Sequence, residues 1–263
     1  MKKIIIFFVF IFNLNFSFAQ DTIKISKPYL PEDNYSLVFA PHNNQINKSY
    51  PLLFLLHGYD GNYLDWNKHI GIQNLADKYN FIIVCPNGYF NSWYVDSPIK
   101  KNSQYEKFFW EDLVPQIMKQ YQVDKTSIFI TGLSMGGHGA LNIYLKNQEY
   151  FKAAGSMSGV LDIRLFPDNW GIKDLLGEYK FNKKVWDNNS AVANLKKYYN
   201  KKTNIIIDCG TEDFALPSNE KFYNEAKKLK VKIQYNTRKG DHNWDFWCQT
   251  VGRHLNYFSG LVK

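Results

Sequence analysis

The sequence predicts an α/β fold, a mainly parallel central sheet with helices on both faces. Three observations carry this. Short apolar runs without alternation recur along the chain ("PLLFLLHG", "FIIVCPNG", "SIFITGL", "NIIIDCG"), the pattern of strands buried on both faces. Segments with helical spacing separate them, the order that crossover connections between parallel strands require. The 263 residues, 45% of them hydrophobic, suffice for one full core and exclude a largely disordered chain.

The elements follow in order from about residue 35. "YSLVFAP" alternates as an antiparallel strand does, and "NNQINKSY" is a polar turn before the buried strand "PLLFLLHG". "WNKHIGIQNLADKYN" has helical spacing, with Ile70, Leu75 and Ala76 facing inward, and leads into "FIIVCPNG". "YEKFFWEDLVPQIMKQYQV" is read as one helix, followed by the strand "SIFITGL" and the helix "MGGHGALNIYLKNQ". "FKAAGSMSG" and "NIIIDCGTED" are two further strands; residues 161–204 between them break the alternation and read as an insertion over the C-terminal edge of the sheet. "PSNEKFYNEAKKLK" is a helix opened by Pro217-Ser218, "VKIQYNTRKG" a strand, and "WDFWCQTVGRHLNYFSG" the last helix. No internal repeat or linker marks a second domain, so residues 20–263 read as one.

Residues 1–19 stand apart. Lys2 and Lys3 precede the apolar run Ile4 to Phe12, and the stretch ends in Ser17-Phe18-Ala19. A basic start, a short apolar core and small residues at positions −3 and −1 make a signal peptide cleaved before Gln20. Nine uninterrupted apolar residues fall short of the roughly 20 of a spanning helix. The expected location is the periplasm or outside the cell.

Charge adds little. Without Lys2 and Lys3 the chain has 30 basic and 24 acidic residues, a balance of +6. The lysines come as scattered pairs such as Lys183-Lys184 and Lys196-Lys197, with no basic stripe, so no nucleic-acid partner is expected. Three cysteines, Cys85, Cys209 and Cys248, leave at least one free thiol; Cys209 and Cys248 could pair if their segments meet. No His or Cys spacing points to a metal.

Functional residues of open parallel sheets gather at the carboxyl ends of the strands. Here that edge collects His57 to Asp60, Asn87 to Tyr94, Ser134 to Gly136, Glu212-Asp213 and Gly240 to His242. Gly132-Leu133-Ser134-Met135-Gly136 is G-x-S-x-G between a strand and a helix, the context of a nucleophile elbow. A serine hydroxyl needs a base, and the base needs an acid to fix its tautomer. His242 follows the last strand and is the candidate base, whereas His254 falls among apolar residues of the last helix and reads as structural. Asp213, on the loop after "NIIIDCG", is the candidate acid, ahead of Glu212 and Asp208. Oxyanion donors are expected from the backbone N–H of Met135 and of Tyr59, with Gly58 as the alternative. Trp93 and Trp244, read as loop residues at this edge, are candidate substrate contacts, while Trp110 and Trp247 on helices read as packing.

Six ordered stretches, "YPLLFLLHGYDG", "NSWYVDSP", "EDLVPQIMKQY", "GLSMGGHGAL", "GTEDF" and "DHNWDFW", resemble the putative-esterase family of α/β-hydrolases, over roughly residues 35–260. That family groups esterase D (S-formylglutathione hydrolase), tributyrin esterases, and the feruloyl and acetylxylan esterases of carbohydrate esterase family 1. The resemblance implies an α/β-hydrolase fold and hydrolysis of carboxylic esters without a cofactor, with the triad on Ser134, Asp213 and His242. "HNWDFW" and "SWY" are most similar to the tributyrin and feruloyl branches, and the export signal separates the chain from the cytosolic formylglutathione branch. The expected substrate is a small-molecule or oligosaccharide ester. Acyl transfer, an S-formylglutathione hydrolase-like thioesterase and a non-catalytic hydrolase-fold binding protein are the alternatives.

Overall fold

A computed structural model of the protein describes residues 20–26, 29–43, 45, 47–200 and 202–262; the predicted signal peptide lies outside them. The strands are β1 (Asp21–Ile25), β2 (Asn34–Phe39), β3 (Tyr50–Leu56), β4 (Ile82–Pro86), β5 (Val123–Gly132), β6 (Ala153–Met157), β7 (Ile205–Gly210) and β8 (Gln234–Arg238). They form one sheet in the order β1-β2-β4-β3-β5-β6-β7-β8. β1/β2 and β2/β4 pair antiparallel, and every later pair is parallel. β1 precedes the first element expected from the sequence. It buries only Ile23 and Ile25, between exposed neighbours, so its signal is two residues long.

The central strands divide their side chains between two cores. On β3, Leu52, Phe54 and Leu56 face one, and Leu53 and Leu55 the other. The second core also receives Trp66, Ala76, Val251, Leu255 and Phe258. Every residue of β3 is buried, which is why its sequence shows no alternation.

The helices are α1 (Asp65–His69), α2 (Ile72–Tyr79), α3 (Tyr105–Phe108), α4 (Val114–Gln120), α5 (Met135–Lys146), α6 (Ile172–Leu176), α7 (Lys183–Asn188), α8 (Ala191–Tyr198), α9 (Leu216–Lys228) and α10 (Trp244–Ser259). Two differ from the sequence reading. The helix expected over "WNKHIGIQNLADKYN" is broken, because Ile70 is extended (φ −147°, ψ 140°) and Gly71 starts a second helix. Trp66, Ile72 and Ala76 are therefore the buried residues, with Ile70 and Leu75 only partly covered. The helix expected over residues 105–123 carries a π turn at Phe109–Leu113, where the Val114 N–H bonds the Phe109 carbonyl, and it ends at Gln120, because Val123 already opens β5. Pro115 stands two residues past it, in the first turn of α4. A proline ring would strike the carbonyl four residues back in a regular helix, and the wider turn relieves that clash.

Residues 161–204 lie between β6 and β7 and contribute α6, α7 and α8. Buried Asp162 anchors them through Arg164 (2.6 Å), Lys221 of α9 (2.5 Å) and the Ser190 hydroxyl (3.1 Å). Burial pushes the Asp162 carboxyl up, but hydrogen bonds from Arg164 and Lys221 hold it below the usual carboxylate range. A second tie joins His138 Nε2 of α5 to the Asn189 carbonyl at 2.7 Å. Burial pulls His138 down to about 4, so it donates there as a neutral ring. Among the described residues no helix is long and apolar enough to cross a membrane.

Candidate active site

The elbow is built from backbone constraint. Ser134 sits at φ 51°, ψ −117° between β5 and α5, a strained conformation for a residue with a side chain. The turn is tight because α5 runs against β3. A Cβ on Gly136 would lie 2.5 Å from the His57 carbonyl oxygen and 2.6 Å from that of Leu56. A Cβ on Gly132 would lie 2.6 Å from the Gly136 backbone. Both glycines are thus steric requirements of the G-x-S-x-G turn.

Ser134 is 8% exposed, and its hydroxyl lies 2.9 Å from His242 Nε2. His242 Nδ1 lies 2.8 Å from Asp213 Oδ1. The structure thereby brings together the three residues chosen from the sequence. The Asp213 side chain is fully buried, and its Oδ1 also accepts the Ala215 N–H at 2.8 Å, which fixes the carboxylate. His242 is held from behind: Asn243 caps α10 by accepting the Phe246 N–H at 3.1 Å.

The alternative acids have other surroundings. Glu212 is exposed. Asp208 is buried in β7 among Arg238 (2.7 Å), Arg253 (3.3 Å) and His254 (3.3 Å). Burial raises the Asp208 carboxyl, and His254 with its other partners more than offsets this, leaving it below its ordinary value. His254 also shares a 2.8 Å hydrogen bond with Thr131, which accounts for its place in the last helix. Asp208→Asn is expected to cost about 2 kcal/mol of stability by urea unfolding while ester turnover stays within a few-fold. Fully buried pairs cost roughly 3–5 kcal/mol to break, and the partial exposure of Arg238 and Arg253 reduces the figure.

The loop after β3 is pinned by His57. Its buried ring donates from Nδ1 to the Gly58 carbonyl (2.7 Å) and accepts the Gly88 N–H at Nε2 (2.7 Å). Burial lowers its proton affinity, which keeps it neutral as this pattern requires. The Tyr94 hydroxyl bonds the His57 carbonyl at 2.9 Å. Among the described residues neither the Tyr59 nor the Met135 N–H has an intramolecular acceptor.

A cleft of about 290 Å³ opens over Ser134, lined by Gly58 to Gly61, Asp65 and a ring of aromatics. The sequence reading of those aromatics needs correction. Trp93 lines the cleft but is 1% exposed, with its indole N–H on the Trp170 carbonyl (3.3 Å), so it is floor rather than an open face. Trp244 is the first residue of α10, where the last helix was expected to begin, and one face stacks on His69 at 3.9 Å and 8°. Trp247, assigned to packing, lines the cleft with its ring perpendicular to His242 at 5.0 Å. Trp170 and Phe214, absent from the sequence expectation, also line it. Phe214, next to the chosen acid, was the readable one. Trp110 packs against Phe109, Tyr150 and Phe151, as expected.

All three cysteines are free, so Cys209 and Cys248 do not pair. Among the described residues no group of three or more His, Cys, Asp or Glu could hold a metal ion.

A family model described as putative esterase matches residues 29–257. The chain belongs to this family. It is an ester hydrolase of the α/β-hydrolase fold. The esterase is 29% identical over 223 residues to an acetyl esterase of Caldicellulosiruptor saccharolyticus, covering 79% of this chain and 82% of that protein. It is 25% identical over 255 residues to an S-formylglutathione hydrolase of Arabidopsis thaliana, covering 87% and 88%. Among solved structures, a ferulic acid esterase superimposes with a TM-score of 0.79 at 27% identity, over 93% of this chain and 98% of that one. An S-formylglutathione hydrolase from Agrobacterium tumefaciens, with a TM-score of 0.81 at 20% identity over 93% and 95%, shares the fold.

Proposed function

We propose that the esterase is an exported serine enzyme that hydrolyses short acyl or hydroxycinnamoyl esters carried on sugars. The observation that carries this reading is the hydrogen-bonded chain Asp213–His242–Ser134 opening into an aromatic cleft. In this reading the Ser134 oxygen bonds to the ester carbonyl carbon as its proton passes to His242 Nε2. The carbonyl π pair moves onto oxygen, where the Tyr59 and Met135 N–H groups bind it; one such donor typically supplies about 3 kcal/mol. Collapse breaks the bond to the leaving alcohol, which takes the proton from His242 and leaves Ser134 acylated. A water then gives a proton to His242 and bonds to the acyl carbon; the bond to Ser134 breaks, its oxygen takes the proton back from His242 Nε2, and the free acid leaves. Asp213 holds the Nδ1 tautomer throughout.

The substrate class is supported from several sides. Similar proteins are named for acetyl and ferulic esters. The cleft is small and aromatic, which suits an acetyl group or one phenyl ring better than a long chain. Its lining holds Asp60 and Asp65 and neither Lys nor Arg, poor complementarity for the two carboxylates of a glutathione leaving group. The leader-like residues 1–19 support export to the periplasm or beyond.

An ester panel tests this. Acetylated xylan, methyl ferulate and short p-nitrophenyl esters are expected to exceed both long-chain triglycerides and S-formylglutathione in kcat/KM, by tenfold or more. A preference for either of the latter would overturn the substrate class.

A further inference from the structure

The ring of His242 is not flanked by polar groups alone. The Phe214 ring lies over it with centroids 4.2 Å apart and planes at 43°. The Trp247 ring stands perpendicular to it at 5.0 Å. Phe214 rests in turn on Trp170 of the insertion, 5.4 Å away and tilted by 35°, and on Phe166 at 6.2 Å. Yet Phe214 is 44% exposed, so core packing does not explain a large apolar side chain held here.

We infer that Phe214 is a positioning residue that stabilises the charged form of His242 with its π face. The inference rests on His242 being the general base. Imidazole carries a positive charge only after it takes the Ser134 proton, in the transition states of acylation and deacylation. A cation within about 6 Å of an aromatic centroid is attracted by the ring quadrupole, and the 4.2 Å separation is inside that range. The neutral ring of the resting enzyme gains little of this attraction. An interaction stronger in the transition state than in the ground state raises kcat and leaves KM alone. The charged groups facing His242 are Asp213 at Nδ1 and Asp241, whose carboxylate accepts the His242 backbone N–H, with Asp60 and Asp65 across the cleft. The contact with Phe214 therefore adds to the stabilisation of the imidazolium that these carboxylates provide. Trp170 gives the insertion a part in this, since its ring packs on Phe214.

Progressive fluorination of the ring tests this, because fluorine drains the π face with little change of volume. Phe214 carrying one, two and three ring fluorines is compared with the parent on p-nitrophenyl acetate. Stepwise loss of kcat is expected, reaching about three- to tenfold at three fluorines (about 0.7 to 1.4 kcal/mol), with KM within twofold. Phe214→Leu, an apolar cover without a π face, should match the trifluoro enzyme, and Phe214→Tyr should restore kcat. A flat kcat along the series, or a change in KM alone, would overturn the inference and leave Phe214 as a substrate wall. His242→Ala separates the two levels: if that variant keeps full turnover, the base assignment itself has failed.

Discussion

Ser134→Ala is expected to fold like the parent and to lose ester turnover almost completely. The hydroxyl is a small part of the local packing, and its φ of 51° is set by the glycines and by the Ser134 N–H on the Met157 carbonyl at 2.9 Å. Alanine keeps the Cβ that this geometry already tolerates, so thermal stability should move little. Loss of the nucleophile in other serine hydrolases lowers kcat by an amount on the order of 10⁶. Kinetics on p-nitrophenyl acetate alongside a thermal melt checks both halves. Substantial turnover in a folded Ser134→Ala protein would remove the serine from the mechanism.

The second large effect is expected from Asp213→Asn. The carboxylate accepts from His242 Nδ1 and from the Ala215 N–H, and both distances are 2.8 Å. An asparagine fits the same space, but its amide nitrogen can donate to Nδ1. That would move the imidazole proton to Nε2, where the base has to be free to accept from Ser134. A fall in kcat of roughly 10⁴, the scale of this change in another Ser-His-Asp triad, is expected with little change in KM. Asp208→Asn is the control, because its charge serves Arg238, Arg253 and His254 instead. If Asp208→Asn lost more activity than Asp213→Asn, the choice of acid would be wrong.

Much of this architecture is readable from residue order, for reasons that differ by element. β3, β4, β5 and β7 lie inside the sheet, and their continuous apolar runs follow from burial on both faces. β1 is an edge strand with only two buried residues, too short for periodicity to register. The break at Ile70-Gly71 and the π turn before Pro115 are local backbone events within segments whose spacing remains helical. The elbow was legible because glycine is required where α5 passes the Leu56 and His57 carbonyls. His242 and Asp213 were legible because chemistry restricts the residue types and the fold restricts their order. The aromatics around them were not. Which rings line the cleft depends on how α10 and the insertion pack: Trp247 turns toward His242, while Trp93 sinks beneath Trp170.

Nucleophilic catalysis by Ser134 is the centre of the account, and covalent trapping tests it most directly. The protein is incubated with a fluorophosphonate, and the adduct is weighed on the intact chain and located by peptide mapping. One phosphonyl group per molecule on Ser134 is predicted, with labelling strongly slowed in His242→Ala. No adduct, or an adduct on another residue with Ser134 unmodified, would contradict it.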